Sequence, residues 1–422
     1  MADNKQNKNP NVPNLSFKRE QSETCFDSAE RVINQKQNVP NLRFPEFTEE
    51  WKTMRLGDTC EILMCKRIFA NQTTEEGDIP FYKIGTIGKT PDSFISKELF
   101  EEYKSKYNYP RQGEVMITCA GTVGKAIVFN GEDSYYQDSN IVWIDNPTKE
   151  LNNTFLLYKI NGVDWSKLNS TTITRIYNDD LKKLKIVYPS FTEQTKIINV
   201  LQLLDDRIAT QNKIIEDLKK LKVAICNKYL NKGEQSVKLG EIGSFIRGLT
   251  YSSNDINENQ CGTIVLRSNN IVNGESVNFD DIVWVNKTPS TEQVLRDGDI
   301  VICMANGSSS LVGKSSYYSK EKEMPTTVGA FCGIFRPNHS VAKWLFQTTH
   351  YKQSINKCLQ GGNGAIANVY PEDILSISFN IPSNIKLVIE ALEILESKII
   401  QEQKYQNRYT TLKSYLLQQM FI

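Results

Sequence analysis

Two stretches of the chain carry a clean helical period. Ile197, Leu201, Leu204, Ile208, Gln211, Ile215, Leu218, Lys222, Ile225 and Tyr229 step by alternating four and three. Val388, Leu392, Leu395, Ile399, Glu402, Gln406, Tyr409, Lys413, Leu416 and Met420 do the same. That spacing is a heptad seam, and neither stretch holds a Pro or Gly to break it. Both seams are interrupted at corresponding positions, Gln211 with Glu402 and Lys222 with Lys413. The pattern predicts an antiparallel pair with Ile197 against Met420 and Tyr229 against Val388. Leu201, Leu204, Ile208, Gln211, Leu218, Leu392, Leu395, Ile399, Gln406 and Leu416 are the expected pairing residues. In this register Gln211 faces Gln406 and helps fix the alignment. Lys222 lies on Leu395 and Lys413 on Leu204, with stems packed and ammonium groups in water. The competing reading is two amphipathic helices, each packed on its own globular core.

The remaining pattern repeats. Arg55-Leu-Gly57 matches Lys238-Leu-Gly240, and the strand-like run Phe81–Ile87 matches Val265–Ile271. Arg111-Gln-Gly-Glu-Val-Met-Ile117 matches Arg296-Asp-Gly-Asp-Ile-Val-Ile302, each a Gly turn feeding a buried strand. A Gly-Lys loop follows in both, Ala120–Lys125 and Ser310–Lys314. Ile176–Leu181 leads to Pro189 and a long helix; Val369–Ile374 leads to Pro382 and the other. The order is therefore domain, helix, domain, helix. The expected fold class is α+β: two similar mixed, β-rich domains with short helices, joined by two long helices in an antiparallel coiled coil, with pseudo-two-fold internal repetition. The expected segments are a polar tail over 1–37, a first domain over 38–190, a central helix over 191–232, a second domain over 233–383 and a terminal helix over 384–422. Within the tail, Asn11-Val-Pro-Asn-Leu-Ser-Phe17 anticipates Asn38-Val-Pro-Asn-Leu-Arg-Phe44. The second copy runs on into Phe47 and Trp51, so it is read as the start of the first domain. A central helix of this length spans about 55 Å at about 1.5 Å per residue. Two domains on such a body suit DNA half-sites separated by roughly one helical turn, about 34–36 Å.

Composition narrows the chemistry. The 422 residues carry a formal charge of +1, so any basic surface is local or is supplemented by a partner. The nine cysteines stand singly and the chain has two histidines, His339 and His350, which argues against a Cys/His metal site and histidine catalysis. No apolar run approaches a membrane span and no signal sequence is read, so a cytoplasmic chain without membrane partners is expected. Gly307-Ser-Ser-Ser-Leu-Val-Gly313-Lys314-Ser315 has five residues where a phosphate-binding P-loop has four. Asp179-Asp180 and Glu372-Asp373 read as helix-start acids.

The candidate DNA contacts are polar, flexible or basic positions of the two copies. Gly121, Thr122 and Lys125, with Thr118 before them, and Ser308, Ser309 and Lys314, with Asn306 before them, lie in or beside the Gly-Lys loops. Gly admits close approach, hydroxyls donate to phosphate and Lys adds charge; the alternative is an ordinary turn. Lys83 and Arg267 stand in phase, and Arg267-Ser-Asn-Asn270 adds Asn269 and Asn270. Thr174 and Arg175 occupy the place that Asn363 and Asn368 hold in the second copy. Arg175 suits guanine, and Asn363 or Asn368 suits adenine. Tyr103, Tyr107, Tyr109, Tyr135 and Tyr136 are read as core or rim residues rather than stacking platforms.

These residues together resemble a known family. Val39-Pro-Asn-Leu-Arg-Phe-Pro-Glu-Phe47, Trp51 and Leu56-Gly57 are similar to the start of specificity subunits of type I restriction–modification enzymes. Gly121-Thr-Val-Gly-Lys125 also resembles that family, as do Asp180-Leu181, Pro189 and Glu193-Gln194 ahead of the first long helix. The resemblance covers roughly 38–422. The second copy lacks the Pro-Asn-Leu lead, and Asn384-Ile385 stands where Glu-Gln is expected. The family implies a non-catalytic chain whose two target-recognition domains read a bipartite, asymmetric site in double-stranded DNA. It implies two docked modification subunits that bind S-adenosylmethionine and methylate adenine, and restriction subunits that use ATP and Mg2+. No cofactor is expected on this chain. The docking region would be about 192–230 and 385–420. Two other classes compete: a nucleotide-binding enzyme built on the Gly-Lys loops, and a coiled-coil scaffold without DNA.

Overall fold

The structure is a computed structural model, and it describes residues 38–148, 150–168, 175–359 and 366–422. The polar tail, Thr174 and Asn363 lie outside the described residues. The described residues form two compact units, 38–209 with 407–422, and 210–406. The division falls inside both long helices, so each unit holds part of each helix.

In the first unit a four-stranded antiparallel sheet runs in the order Glu61–Met64, Ile141–Asp145, Val115–Thr118, Ala126–Val128. A smaller sheet runs Phe94–Ile95, Ile79–Tyr82, Tyr135–Tyr136, its last pair parallel. Lys52–Arg55 pairs with Lys185–Tyr188. The second unit repeats this order. Its four-stranded sheet is Gly243–Arg247, Cys332–Pro337, Ile300–Cys303, Ser315–Tyr317. Its three-stranded sheet is Val283–Val285, Thr263–Leu266, Thr326–Val328, again with one parallel pair. Gln235–Lys238 pairs with Ser378–Ile381.

The unbroken apolar strands of the larger sheets follow from burial on both faces. Successive side chains of a strand point to opposite sides. Val115 and Ile117 enter the cluster that holds Phe155 and Leu201, while Met116 enters the cluster that holds Phe100 and Tyr135. Ile300 and Ile302 likewise join Trp344 and Leu392, and Val301 joins Leu266 and Tyr318. The turn before each strand needs a left-handed residue, supplied by Gly113 (φ 91°) and Gly298 (φ 86°). The acid that follows closes the turn: Glu114 accepts from the Arg111 N–H at 2.8 Å, and Asp299 from the Arg296 N–H at 2.8 Å.

The long helices span Phe191–Tyr229 and Ile385–Met420. Of the twenty seam positions read from the sequence, all but Tyr229 are buried or half-buried. Within the first unit the start of one helix meets the end of the other: Ile197 and Leu201 share a cluster with Leu416 and Met420. Within the second, Cys226 and Leu230 share one with Val388 and Leu392. The direction is antiparallel, as the seams predict, and the helix ends also pack on the domain cores.

The polar positions depart from the expected register. Gln211 donates to Glu402, one turn from Gln406. A Glu carboxylate is the better acceptor for an amide, and the side chains are long enough to lean across a turn. Lys222 is not in water. Its side chain is 7% exposed, and its ammonium donates to the Gly274 carbonyl at 3.0 Å and lies 3.5 Å from Glu396. Lys413 pairs with Asp205 at 2.5 Å in the first unit. In each unit a seam Lys therefore meets an acid of the opposite helix beside its expected apolar partner. The acids are tied to the domains in turn: Tyr158 donates to Asp205 at 2.7 Å, and Lys343 pairs with Glu396.

The first helix begins on a fixed platform. Glu193, 1% exposed, accepts Arg43 through both oxygens at 2.7 Å and Trp51 Nε1 at 3.3 Å. Gln194 donates to the Glu150 and Pro189 carbonyls, each at 3.0 Å, and accepts from the Asn152 N–H. The Leu42 N–H caps the Gln419 carbonyl near the end of the second helix at 2.9 Å.

Candidate nucleic-acid interface

Each unit gathers its loop candidates at one edge of the larger sheet, through matching backbone bonds. The Thr118 N–H reaches the Lys125 carbonyl at 3.0 Å, and the Cys303 N–H reaches the Lys314 carbonyl at 2.9 Å. The Gly124 N–H returns to the Thr118 carbonyl, and the Gly313 N–H to the Cys303 carbonyl, both at 2.8 Å. The residue after each strand is then bracketed. Cys119 donates to Asn140 and accepts from Ile176; Met304 donates to Phe331 and accepts from Val369. In the second unit this contact widens into a short strand pair, Ala305–Asn306 with Ala367–Asn368.

The Gly-Lys loops are held from within. A Cβ on Gly124 would sit 2.0 Å from Trp165, and one on Gly313 would sit 2.4 Å from Ile355. These glycines are needed for internal packing as well as for their positive φ, 82° and 77°. The Lys125 ammonium donates to the Ile87 carbonyl at 2.6 Å, which turns it toward the protein. Thr118 is fully buried; its hydroxyl accepts the Lys125 N–H at 3.1 Å and donates to the Thr122 carbonyl. The Lys314 and Val312 N–H groups are taken by Leu311 and Ser309. A phosphate cradle needs convergent unclaimed N–H groups. Here Gly124, Lys125, Val312, Gly313 and Lys314 spend theirs on the loop itself.

The candidates therefore divide. Thr118 and Lys125 support the loop. So does Asn270, 1% exposed, which accepts the Arg267 N–H at 2.7 Å and donates to the Asn278 and Asp281 carbonyls. Burial removes Thr118 and Asn270 from direct base contact, and the bond to Ile87 turns the half-buried Lys125 inward. Gly121, Thr122, Ser308 and Ser309 are exposed, and Lys314 is half-buried. Lys83 pairs with Asp92 at 2.9 Å across an exposed surface. Asp281 gathers Arg267 at 2.9 Å and Asn269 at 2.5 Å. Asn306 reaches Ser268 at 3.3 Å, which brings the Arg267 segment to the Asn306–Asn368 strand pair. Arg175 donates to Ser139 at 3.3 Å, and its guanidinium lies 5.8 Å from the Tyr177 ring centre.

Several residues of this edge escaped the sequence reading. Ser139 and Asn140 flank Arg175, and Phe331 stands 64% exposed beside the Asn306 strand. Tyr177 and Tyr370 are 59% and 51% exposed at matching places of the repeat. Their recurrence was visible in the sequence; the exposure of Phe331 had no local signal. Tyr103 and Tyr109 are half-buried, Tyr135 and Tyr136 are core, and Tyr107 is exposed. Among the described residues no cluster of His, Cys, Asp and Glu has the makings of a metal site, and no helix is long and apolar enough to cross a membrane.

The type I restriction modification DNA specificity domain matches residues 48–220. A putative type I restriction enzyme specificity subunit of Haemophilus influenzae is 51% identical over 150 residues, 36% of this chain and 39% of that protein. Residues 48–220 thus resemble the DNA specificity domain of type I restriction–modification enzymes, and the chain is similar to their specificity subunits. Other specificity subunits share the likeness. The EcoKI subunit of Escherichia coli is 32% identical over 181 residues, 40% of this chain and 38% of that one. The MjaVIII subunit of Methanocaldococcus jannaschii is 24% identical over 352 residues, 76% of this chain and 79% of that one. The chain thus aligns with 39% of the Haemophilus protein and 38% of the Escherichia protein. The crystal structure of a type I system S subunit from M. genitalium has the same fold, with a TM-score of 0.51 at 16% identity, covering 91% of this chain and 99% of that one.

Proposed function

We propose that this chain is a specificity subunit, the DNA reader of a type I restriction–modification complex, with no catalytic centre of its own. Each unit reads one half of an asymmetric, bipartite site in double-stranded DNA. The observation that carries this reading is a repeated sheet order combined with unlike side chains at the repeated loop edge. One scaffold is used twice, and it presents Arg175, Ser139 and Asn140 in one unit and Asn306, Asn368 and Phe331 in the other. Phosphate contacts position a duplex, whereas such edge side chains specify bases. Exposed apolar residues on the long helices support docking of two modification subunits: Leu387 is 64% and Ile394 72% exposed. S-adenosylmethionine belongs to those partners, and ATP and Mg2+ to restriction subunits. The complex works in the cytoplasm. The test is co-expression with the cognate modification subunit, followed by sequencing of methylated adenines. A gapped motif that requires this chain is expected. A continuous motif, or methylation independent of the chain, would refute the reading.

A further inference from the structure

The matching backbone bonds allow the two reading edges to be aligned position by position. The Cys119 N–H donates to Asn140 and the Met304 N–H to Phe331, each at 2.8 Å. The Ile176 N–H donates to Cys119 at 2.9 Å and the Val369 N–H to Met304 at 3.0 Å. Asn140 and Phe331 are therefore equivalent. So are Arg175 and Asn368, the residues just before Ile176 and Val369, and Ser139 and Ala330, just before Asn140 and Phe331. At one structural position, flanking the same central segment, the first unit sets a guanidinium beside a hydroxyl and an amide. The second sets an amide beside an exposed phenyl ring.

We infer that this pair of positions reads a G·C pair in the half-site of the first unit and an A·T pair in the half-site of the second, with Phe331 as a specificity-determining residue packed on the thymine methyl. The inference rests on the reading proposed above. Its chemistry is that of the base edges. Guanine offers two acceptors that fit a guanidinium, adenine offers an acceptor and a donor that fit an Asn amide, and thymine alone carries a methyl. Arg175 reaches Ser139 at 3.3 Å, a long bond between half-buried groups that a guanine edge can replace. The Asn368 carboxamide oxygen is shielded from water and has no hydrogen-bond partner among the described residues, so the amide must turn outward to meet a base. An amide that makes no internal bond through its oxygen gives up little when it turns to a base. Phe331 is 64% exposed although its own carbonyl is fixed by the Met304 and Ala305 N–H groups, at 2.8 and 3.2 Å. Its ring stands on a hydrogen-bonded backbone and is largely uncovered among the described residues of its unit. Ile366, 57% exposed, stands next to Ala367 of the same strand pair and extends the apolar surface beside the amide. Among the described residues of the first unit, the polar Asn140 and Ser139 stand at the place that Phe331 and Ala330 hold in the second.

The test uses the full chain in complex with its modification subunit, and reads adenine methylation across a library of half-site variants. Phe331→Ala is expected to lower the preference for A·T at one position of one half-site by about ten-fold. Phe331→Leu, which keeps an apolar contact, should retain most of that preference and guards against loss of assembly in the Ala variant. Arg175→Ala should relax a guanine in the other half-site only. The inference is overturned if Phe331→Ala leaves the motif unchanged, if the position it relaxes is G·C, or if both variants relax the same half-site. A wild-type complex that methylates no gapped motif would instead overturn the reading on which the inference stands.

Discussion

Glu396 offers a direct measure of what the charged seam positions contribute. Its carboxylate accepts Lys222 from the first long helix and Lys343 from the domain, all within the second unit. The three side chains differ in access to water: Lys222 is 7% exposed, Glu396 10% and Lys343 28%. Burial holds the Lys222 ammonium below the ordinary lysine range, against the opposing pull of Glu396. Glu396→Leu leaves that buried ammonium with the Gly274 carbonyl alone, and an uncompensated buried charge costs about 3–5 kcal/mol. Lys222→Met should cost much less, about 1 kcal/mol, because Glu396 keeps Lys343. The double variant should return to within about 1 kcal/mol of wild type, since Lys343 can reach water and still lies 3.8 Å from the Tyr317 ring centre. Hydrogen exchange of peptides from residues 210–229 and 385–406 reads the difference locally. A loss of about 3–5 kcal/mol is a hundred- to several-thousand-fold faster exchange. The reasoning fails if Lys222→Met is the more damaging change, or if the double-mutant cycle gives a coupling below about 0.5 kcal/mol.

Four further outcomes follow from the same geometry. Arg43→Ala leaves Glu193 buried with Trp51 as its remaining side-chain donor and should destabilise the first unit by about 2–4 kcal/mol in urea unfolding followed by tryptophan emission. Gly124→Ala drives a Cβ into Trp165 at positive φ and should cost at least about 3 kcal/mol, whereas Gly307→Ala, with open space around it, should change stability by under about 0.5 kcal/mol. Lys125→Met should weaken the loop while leaving the salt dependence of DNA binding unchanged, because its ammonium is committed to Ile87; a slope reduced by about 0.9 would show a phosphate contact instead. Lys398 first and Gln211 second hold the Glu402 carboxyl below its ordinary value of 4.5. A depressed carboxylate stabilises the fold above that value and loses the effect as pH falls through its folded pKa, so Glu402→Gln should flatten this part of the acid unfolding curve.

Much of this architecture is written in local pattern. Two heptad seams, a duplicated Gly turn and a duplicated Tyr-x-x-Asp helix start are properties of neighbouring residues, and period and turn chemistry follow from backbone geometry alone. They predicted the helices, the buried strands and the repeat. The tertiary structure decided which polar atoms meet. Gln211 chose Glu402 over Gln406, and Lys222 was drawn into a buried site by Gly274, 52 residues away in the chain. Lys125 and Asn270 read as candidate contacts by residue type, yet their bonds run inward. Phe331 carried no local signal in the sequence and lies exposed. Periodicity fixes the face on which a side chain starts. Its partner depends on chain reach and on the cost of leaving a polar group dry, and both are settled only when distant segments pack.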